Sequence, residues 1–128
     1  MQILSTMDTL KLSHQQTICV LHDYILFNLD NPLLDHLEEL SKKFFISTKT
    51  MNRLFKKQFA STIHAFIQEQ RLLAAHEYLK LGNLVSEAAS MVGYQYTESF
   101  SRAFKKRFGV SPKHVRADEK FGSFSEAG

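Results

Sequence analysis

Apolar residues recur at intervals of three and four along most of the chain, which is the spacing of one face of an α-helix. Turn-forming residues interrupt this pattern at only a few points, since the 128 residues include five Gly and two Pro. A many-stranded fold needs more turns than that. The pattern therefore predicts an all-α fold, with helices at 15–28, 32–44, 48–59, 62–81, 84–92 and 96–108.

Local signals at the ends of these segments support the predicted bounds. Pro32 disfavours helical geometry at the residue before it and suits the first turn of a following helix. Ser47 is a favourable N-cap for the helix at 48–59. Gly82 and Asn83 are typical of a helix stop, so they are expected to end the long fourth helix.

The chain also contains an internal repeat. Residues 53–59 and 102–108 are identical at five of seven positions, at an offset of 49 residues. The match extends backwards to residues 37–44, which correspond to 85–92 if the turn of the second copy is one residue longer than that of the first. A helix, a short turn and a basic helix thus occur twice. This arrangement is typical of a helix-turn-helix, whose second helix enters the major groove of DNA.

Charge is distributed unevenly along the chain. Residues 1–40 hold one basic and six acidic residues, whereas residues 41–128 hold fifteen basic and seven acidic ones. The basic part could face nucleic acid or an acidic membrane surface, or it could be a set of solvated lysines on ordinary helices. The repeat favours nucleic acid, because a duplicated basic helix has no obvious use in the other cases.

The outward side of each second helix would meet the bases, because its apolar side holds it to the body of the unit. Arginine can donate two hydrogen bonds to guanine, asparagine pairs with adenine, and glutamate accepts from cytosine. Residues early in each helix should reach furthest into the groove. The expected base-reading residues are Lys49, Asn52, Arg53, Thr97, Glu98, Ser101 and Arg102.

Other polar residues are expected to contact phosphates, which position a protein on DNA without reading its sequence. They lie further along the two basic helices or at helix N-termini, where backbone N–H groups attract anions. Affinity should therefore fall steeply with salt. The expected phosphate contacts are Ser47, Lys56, Lys57, Lys105, Lys106, Arg107 and Ser111.

Nothing in the sequence favours an enzyme, a metal site or a cofactor. The six histidines lack paired i, i+4 spacing, and no glycine-rich phosphate loop occurs. Cys19 lies in an apolar run, where a small buried hydrophobe is expected rather than a nucleophile. The main alternative function is a helical protein-interaction adaptor with basic faces. Without a long apolar segment or a signal pattern, we expect a cytoplasmic protein with no membrane partner.

A long motif in the second half of the chain resembles the signature of the AraC/XylS family of bacterial transcription regulators. It comprises residues 71–75, 85–89, 92–94, 100–112 and 115–116, and the resemblance covers about residues 20–116. It implies about seven helices in two helix-turn-helix subdomains joined by a long linker helix. It further implies a regulator, typically an activator, that places the helices at 48–59 and 96–108 in successive major grooves of promoter DNA beside RNA polymerase.

The resemblance also has departures, and they lie in the first unit. Phe45 stands where a glycine is common, and 60–63 replaces the glycine-and-proline ending that the second unit keeps at 109–112. The first turn is therefore expected to differ in shape from the second.

The expected domain division is an N-terminal extension or linker remnant at 1–14, a first subdomain at 15–61, a linker helix at 62–81, a second subdomain at 82–116 and a flexible tail at 117–128. Most family members carry a ligand-sensing domain before this part, for which the chain has no room. Two interpretations stay open at this point. The chain is either the C-terminal half of a longer regulator or a short regulator that works alone.

Overall fold

The computed structural model describes the backbone of residues 6–116 and the side chains from His14 to Arg116. All regular structure in this part of the chain is helical, and a seventh helix begins at residue 112, so the predicted all-α fold is confirmed. The expected tail at 117–128 lies outside the described residues. The first six helices are α1 (Thr6–Phe27), α2 (Leu37–Phe44), α3 (Thr48–Phe59), α4 (Ile63–Lys80), α5 (Val85–Met91) and α6 (Thr97–Phe108).

Two predicted helix starts are wrong. Helix α1 already includes residues 6–14, ahead of the predicted start at residue 15, and these residues contain no proline or glycine to stop a helix. Helix α2 begins at Leu37 and not at Pro32. The Asn31 side chain accepts the Leu33 N–H at 2.9 Å and holds the following residues in a turn.

The chain divides into two compact units. The first comprises Met1–Asn28 and Leu34–Ile67. Three residues of α1 enter its core with no exposed surface, and Met51 and Phe55 of α3 are equally buried. Cys19 is exposed, contrary to expectation, and its sulfur accepts a hydrogen bond from Gln58 Nε2 of α3 at 3.0 Å. The α1 core residues are Ile18, Leu21 and Ile25.

The second unit comprises Leu29–Leu33 and Gln68–Gly128. Its core joins α4, α5 and α6, and it contains Phe100 and Phe104 with no exposed surface. Arg71 ties the segment before α2 to this unit, since its Nε donates to the Leu29 carbonyl at 3.2 Å and its Nη2 to the Asn31 carbonyl at 2.6 Å. The Arg71 guanidinium is buried, and these carbonyl acceptors replace hydrogen bonds that it would otherwise make with water.

The structure extends the internal repeat by one helix. Buried residues of α1 recur in α4 at an offset of 54 residues, which pairs Ile18 with Leu72 and Ile25 with Leu79. The sequence alone does not reveal this match, because nine residues connect α1 to α2, whereas only four connect α4 to α5. Each unit therefore contains a three-helix body whose third helix is the basic one.

A histidine occupies the same place in both three-helix bodies. His22 stacks on Phe59 of α3 with ring centroids 4.3 Å apart, and His76 packs on Phe108 of α6 at 4.8 Å. Phe59 and Phe108 are repeat partners. Each histidine thus packs against the apolar side of the basic helix in its own unit.

Candidate nucleic-acid interface

The first helix-turn-helix is formed by α2, a short turn and α3. Ser47 starts α3 as predicted, because its Oγ accepts the Thr50 N–H at 3.2 Å. The turn before it passes through Phe45, which has a left-handed backbone (φ 59°) and is 92% exposed. Ile46 next to it is buried and fixes the turn to the core of the unit.

Helix α3 presents a basic face to solvent. Met51 and Phe55 point into the core, so the residues on the opposite side must point away from it. Within the described part of the chain, none of the basic residues on this side lies within ion-pair distance of an acidic group. The exposed basic residues of α3 are Lys49, Arg53, Lys56 and Lys57.

Asn52 differs from its neighbours on α3. It is half-buried, and its Oδ1 accepts the backbone N–H of Ile63 at 3.0 Å. Ile63 is the first residue of α4, whose initial N–H groups have no partner within the helix. The structure thus gives this expected base-reading residue a partner inside the first unit.

The second helix-turn-helix is formed by α5, a turn at Gly93 and α6. Glu87 starts α5 by accepting the Leu84 N–H at 2.8 Å, and this bond holds the pKa of the Glu87 carboxyl below its usual value. Gly93 has a φ of 87°, and a β-carbon there would overlap the Leu29 carbonyl oxygen. Only glycine fits this turn without moving the backbone.

Helix α6 buries Phe100 and Phe104, the repeat partners of Met51 and Phe55. Its outward side therefore carries the residues that the sequence predicted there. All of them are exposed except Ser101, which is half-buried. The outward residues are Thr97, Glu98, Ser101, Arg102, Lys105 and Lys106.

Arg107 lies apart from this outward set. Its Nε and Nη2 donate to the two carboxylate oxygens of Glu69 on α4, at 2.8 and 2.7 Å. The paired guanidinium holds the pKa of the Glu69 carboxyl below its usual value. The sequence places Arg107 among the expected phosphate contacts but does not indicate Glu69 as its partner, because the two residues lie 38 positions apart.

Ser111 lies at the start of the last helix. Its carbonyl accepts the His114 N–H at 3.0 Å, and Pro112 follows it as the first helical residue. Ser47 and Ser111 both stand at helix N-termini, as expected of them. No cluster of metal-ligating side chains occurs among the described residues. No helix in the described range is long and apolar enough to span a bilayer.

These features coincide with a match to a known family. A family model described as a helix-turn-helix domain matches residues 40–118. The regulatory protein SoxS of Salmonella typhimurium is 31% identical over 106 residues, covering 82% of this chain and 97% of SoxS. The chain belongs to the AraC/XylS family of helix-turn-helix transcription regulators. Family membership, rather than any missing feature, identifies it as a DNA-binding regulator and not an enzyme.

A longer relative and a solved structure also match this chain. The regulator AlkR of Acinetobacter baylyi is 36% identical over 81 residues, and the matched part covers 62% of this chain but only 26% of AlkR. The DNA-binding domain of AdpA, solved with a target DNA, has a TM-score of 0.73 at 24% identity. That match covers 79% of this chain and 90% of the AdpA domain. This likeness supports the AraC-type fold.

Proposed function

We propose that α3 and α6 are the two reading helices of this regulator and that each enters a major groove, in successive segments of one promoter site. The observation that carries the proposal is the equivalent exposure of Arg53 and Arg102 on two helices that bury matching residues. A guanidinium held on a rigid helix can donate two parallel hydrogen bonds to one guanine. The DNA-bound structure of the AdpA domain supports this use of the fold.

The two reading helices would differ in their chemistry. In the first unit Lys49 and Arg53 offer only hydrogen-bond donors, which favours guanine as the base that they contact. In the second unit Glu98 adds an acceptor for cytosine beside Arg102, and the hydroxyls of Thr97 and Ser101 can pair with several bases. The second unit would therefore discriminate more finely than the first.

Phosphate contacts would flank both reading helices. Lysines near the end of each helix are exposed and without acidic partners among the described residues, so each can neutralise a phosphate. Backbone N–H groups that follow Ser47 and Ser111 would add contacts at helix N-termini. Arg107 is the weakest member of the expected set, since Glu69 already neutralises it. The lysines are Lys56, Lys57, Lys105 and Lys106.

We further propose that the regulator acts in the bacterial cytoplasm as an activator that contacts RNA polymerase beside its promoter site. The match to nearly all of SoxS supports a domain that regulates without a sensing domain. The match to about a quarter of AlkR supports the same domain serving as one part of a longer transcriptional regulator. Both uses require the same reading surface.

The proposal is tested by comparing Arg102→Ala with Lys105→Ala on duplex DNA, using fluorescence anisotropy at several salt concentrations. Arg102→Ala should weaken binding to the preferred duplex by about 1 to 3 kcal/mol and relax the preference at one base pair. Lys105→Ala should weaken all duplexes alike and make the salt dependence shallower by roughly 0.9 in slope.

Equal losses on preferred and random duplexes for Arg102→Ala would contradict its role in reading. An affinity that does not change with salt would contradict DNA binding altogether and would favour a protein-binding adaptor. Circular dichroism of both variants checks that α6 stays folded, which is expected because both side chains are exposed.

A further inference from the structure

The two reading helices differ at one pair of repeat positions. Asn52 of α3 corresponds to Ser101 of α6, and Ile63 at the start of α4 corresponds to Pro112 at the start of the last helix. In the first unit the two positions are joined, since Asn52 Oδ1 accepts the Ile63 N–H at 3.0 Å. In the second unit they cannot be joined, because proline has no N–H.

The first turn of α4 shows why Asn52 is needed there. The Thr62 Oγ1 accepts the Ala65 N–H at 3.2 Å, as an N-cap side chain does. The Ile63 N–H comes earlier in the helix than the N–H groups that an N-cap side chain bonds, and the Ile63 side chain is fully buried. Asn52 therefore supplies the hydrogen-bond acceptor for the Ile63 N–H, which would otherwise be removed from water without a partner.

The position of Asn52 on α3 agrees with this role. It follows buried Met51 directly and precedes buried Phe55 by three residues, so it lies at the edge of the buried face. Arg53 lies on the opposite side and is exposed. To pair with adenine, the carboxamide must both accept from the base and donate to it. Turning it towards a groove would break its bond to Ile63.

We propose that Asn52 is a positioning residue and not a base reader: its carboxamide locks α3 to the start of α4, and the first unit reads DNA with Lys49 and Arg53 alone. In the second unit Pro112 makes such a lock unnecessary and leaves the Ser101 hydroxyl available for DNA. This inference rests on the proposed function of α3 and α6. It also explains the residues at 63 and 112, which the reading function alone does not address.

The test uses Asn52→Ala and Asn52→Asp in the full chain. Asn52→Ala removes the acceptor and should lower the midpoint of thermal unfolding by roughly 3 to 6 °C. Asn52→Asp keeps an acceptor for the Ile63 N–H and should restore the midpoint. Asp cannot donate to adenine and adds a charge, so it should lower the affinity for every duplex without changing the rank of the bases.

Base preference is read by selecting duplexes from a random library with the wild-type chain and with Asn52→Asp. Ser101→Ala is the matched control in the second unit. It should leave the unfolding midpoint unchanged, because the Ser101 hydroxyl has no hydrogen-bond partner among the described residues. It should also alter the preference at one position. A third comparison places Asn52→Ala in an Ile63→Pro background, where it should cause no further fall in the midpoint.

If Asn52→Asp changes the preference at one base pair tenfold or more, the proposal is overturned. Loss of a bidentate contact between a side chain and a base changes the preference by about that much. An unchanged midpoint for Asn52→Ala would also overturn the proposal. If the wild-type chain selects no preferred duplex, the proposed function fails, and the unfolding measurements still decide whether Asn52 locks α3. If Ile63→Pro does not fold, the Ala and Asp variants at residue 52 decide alone.

Discussion

At the scale of single residues, the two units place different residues at the left-handed position of equivalent turns. The turn between α5 and α6 uses Gly93 at φ 87°, and the equivalent turn before α3 uses Phe45 at φ 59°. A left-handed backbone costs a residue other than glycine about 1 to 3 kcal/mol. The Phe45 side chain recovers none of this by burial, because it is almost fully exposed.

Phe45→Gly should therefore stabilise the protein by about 1 kcal/mol, after allowance for the greater freedom of glycine in the unfolded chain. Gly93→Ala should destabilise it by more than about 2 kcal/mol, because its β-carbon would overlap the Leu29 carbonyl oxygen and lie 2.8 Å from Arg71 Nη2. Urea unfolding followed by circular dichroism measures both changes. Destabilisation by Phe45→Gly would mean that the aromatic ring has a structural partner.

The residue scale also shows where the sequence is a sufficient guide to the site. The outward residues of α6 and the basic residues of α3 lie where the helical period places them. Asn52 and Arg107 could not be assigned in this way. Their partners, Ile63 and Glu69, lie 11 and 38 residues away, and the periodicity of one helix carries no information about contacts with another.

At the scale of helices, α3 is predictable in full and α6 to within one residue, whereas the starts of α1 and α2 are not predictable. The bounds of α3 agree with the prediction because Ser47 caps its start and an apolar stripe follows. The start of α2 depends on a turn at Asn31, which is itself held by Arg71 of α4. Such tertiary contacts override the helix preference of proline at a first turn, so the start at residue 32 was wrong.

The bidentate pair of Arg107 and Glu69 gives α6 and α4 an electrostatic link with a testable effect on DNA binding. Arg107→Ala should leave the salt dependence nearly unchanged, because its charge is already neutralised within the protein. Lys106→Ala, the adjacent control, should make the dependence shallower by roughly 0.9 in slope. Glu69→Gln should release Arg107 and raise the affinity for all duplexes.

Binding isotherms at four or more salt concentrations measure these slopes. If Arg107→Ala and Lys106→Ala reduce the slope equally, then Arg107 leaves Glu69 to bind a phosphate in the complex. Arg107 and Lys106 would in that case be equivalent phosphate contacts, as the sequence alone predicts.

At the scale of the whole molecule, the chain is a duplication of a three-helix body rather than of two helices. Buried positions of α1 and α4 correspond, as do the histidines that pack against the basic helices. The second copy keeps its glycines and its proline, and it carries the more varied set of outward side chains. The first copy keeps the basic helix but secures it with Asn52.

The most direct test of the two-helix account is selection of duplexes from a random library by the wild-type chain, Arg53→Ala and Arg102→Ala. We predict a wild-type consensus with two conserved segments. Arg53→Ala should relax the preference at a base pair in one segment only, and Arg102→Ala should relax it at a base pair in the other. A consensus with a single segment, or relaxation of the same base pair by both substitutions, would contradict the claim that α3 and α6 read DNA separately.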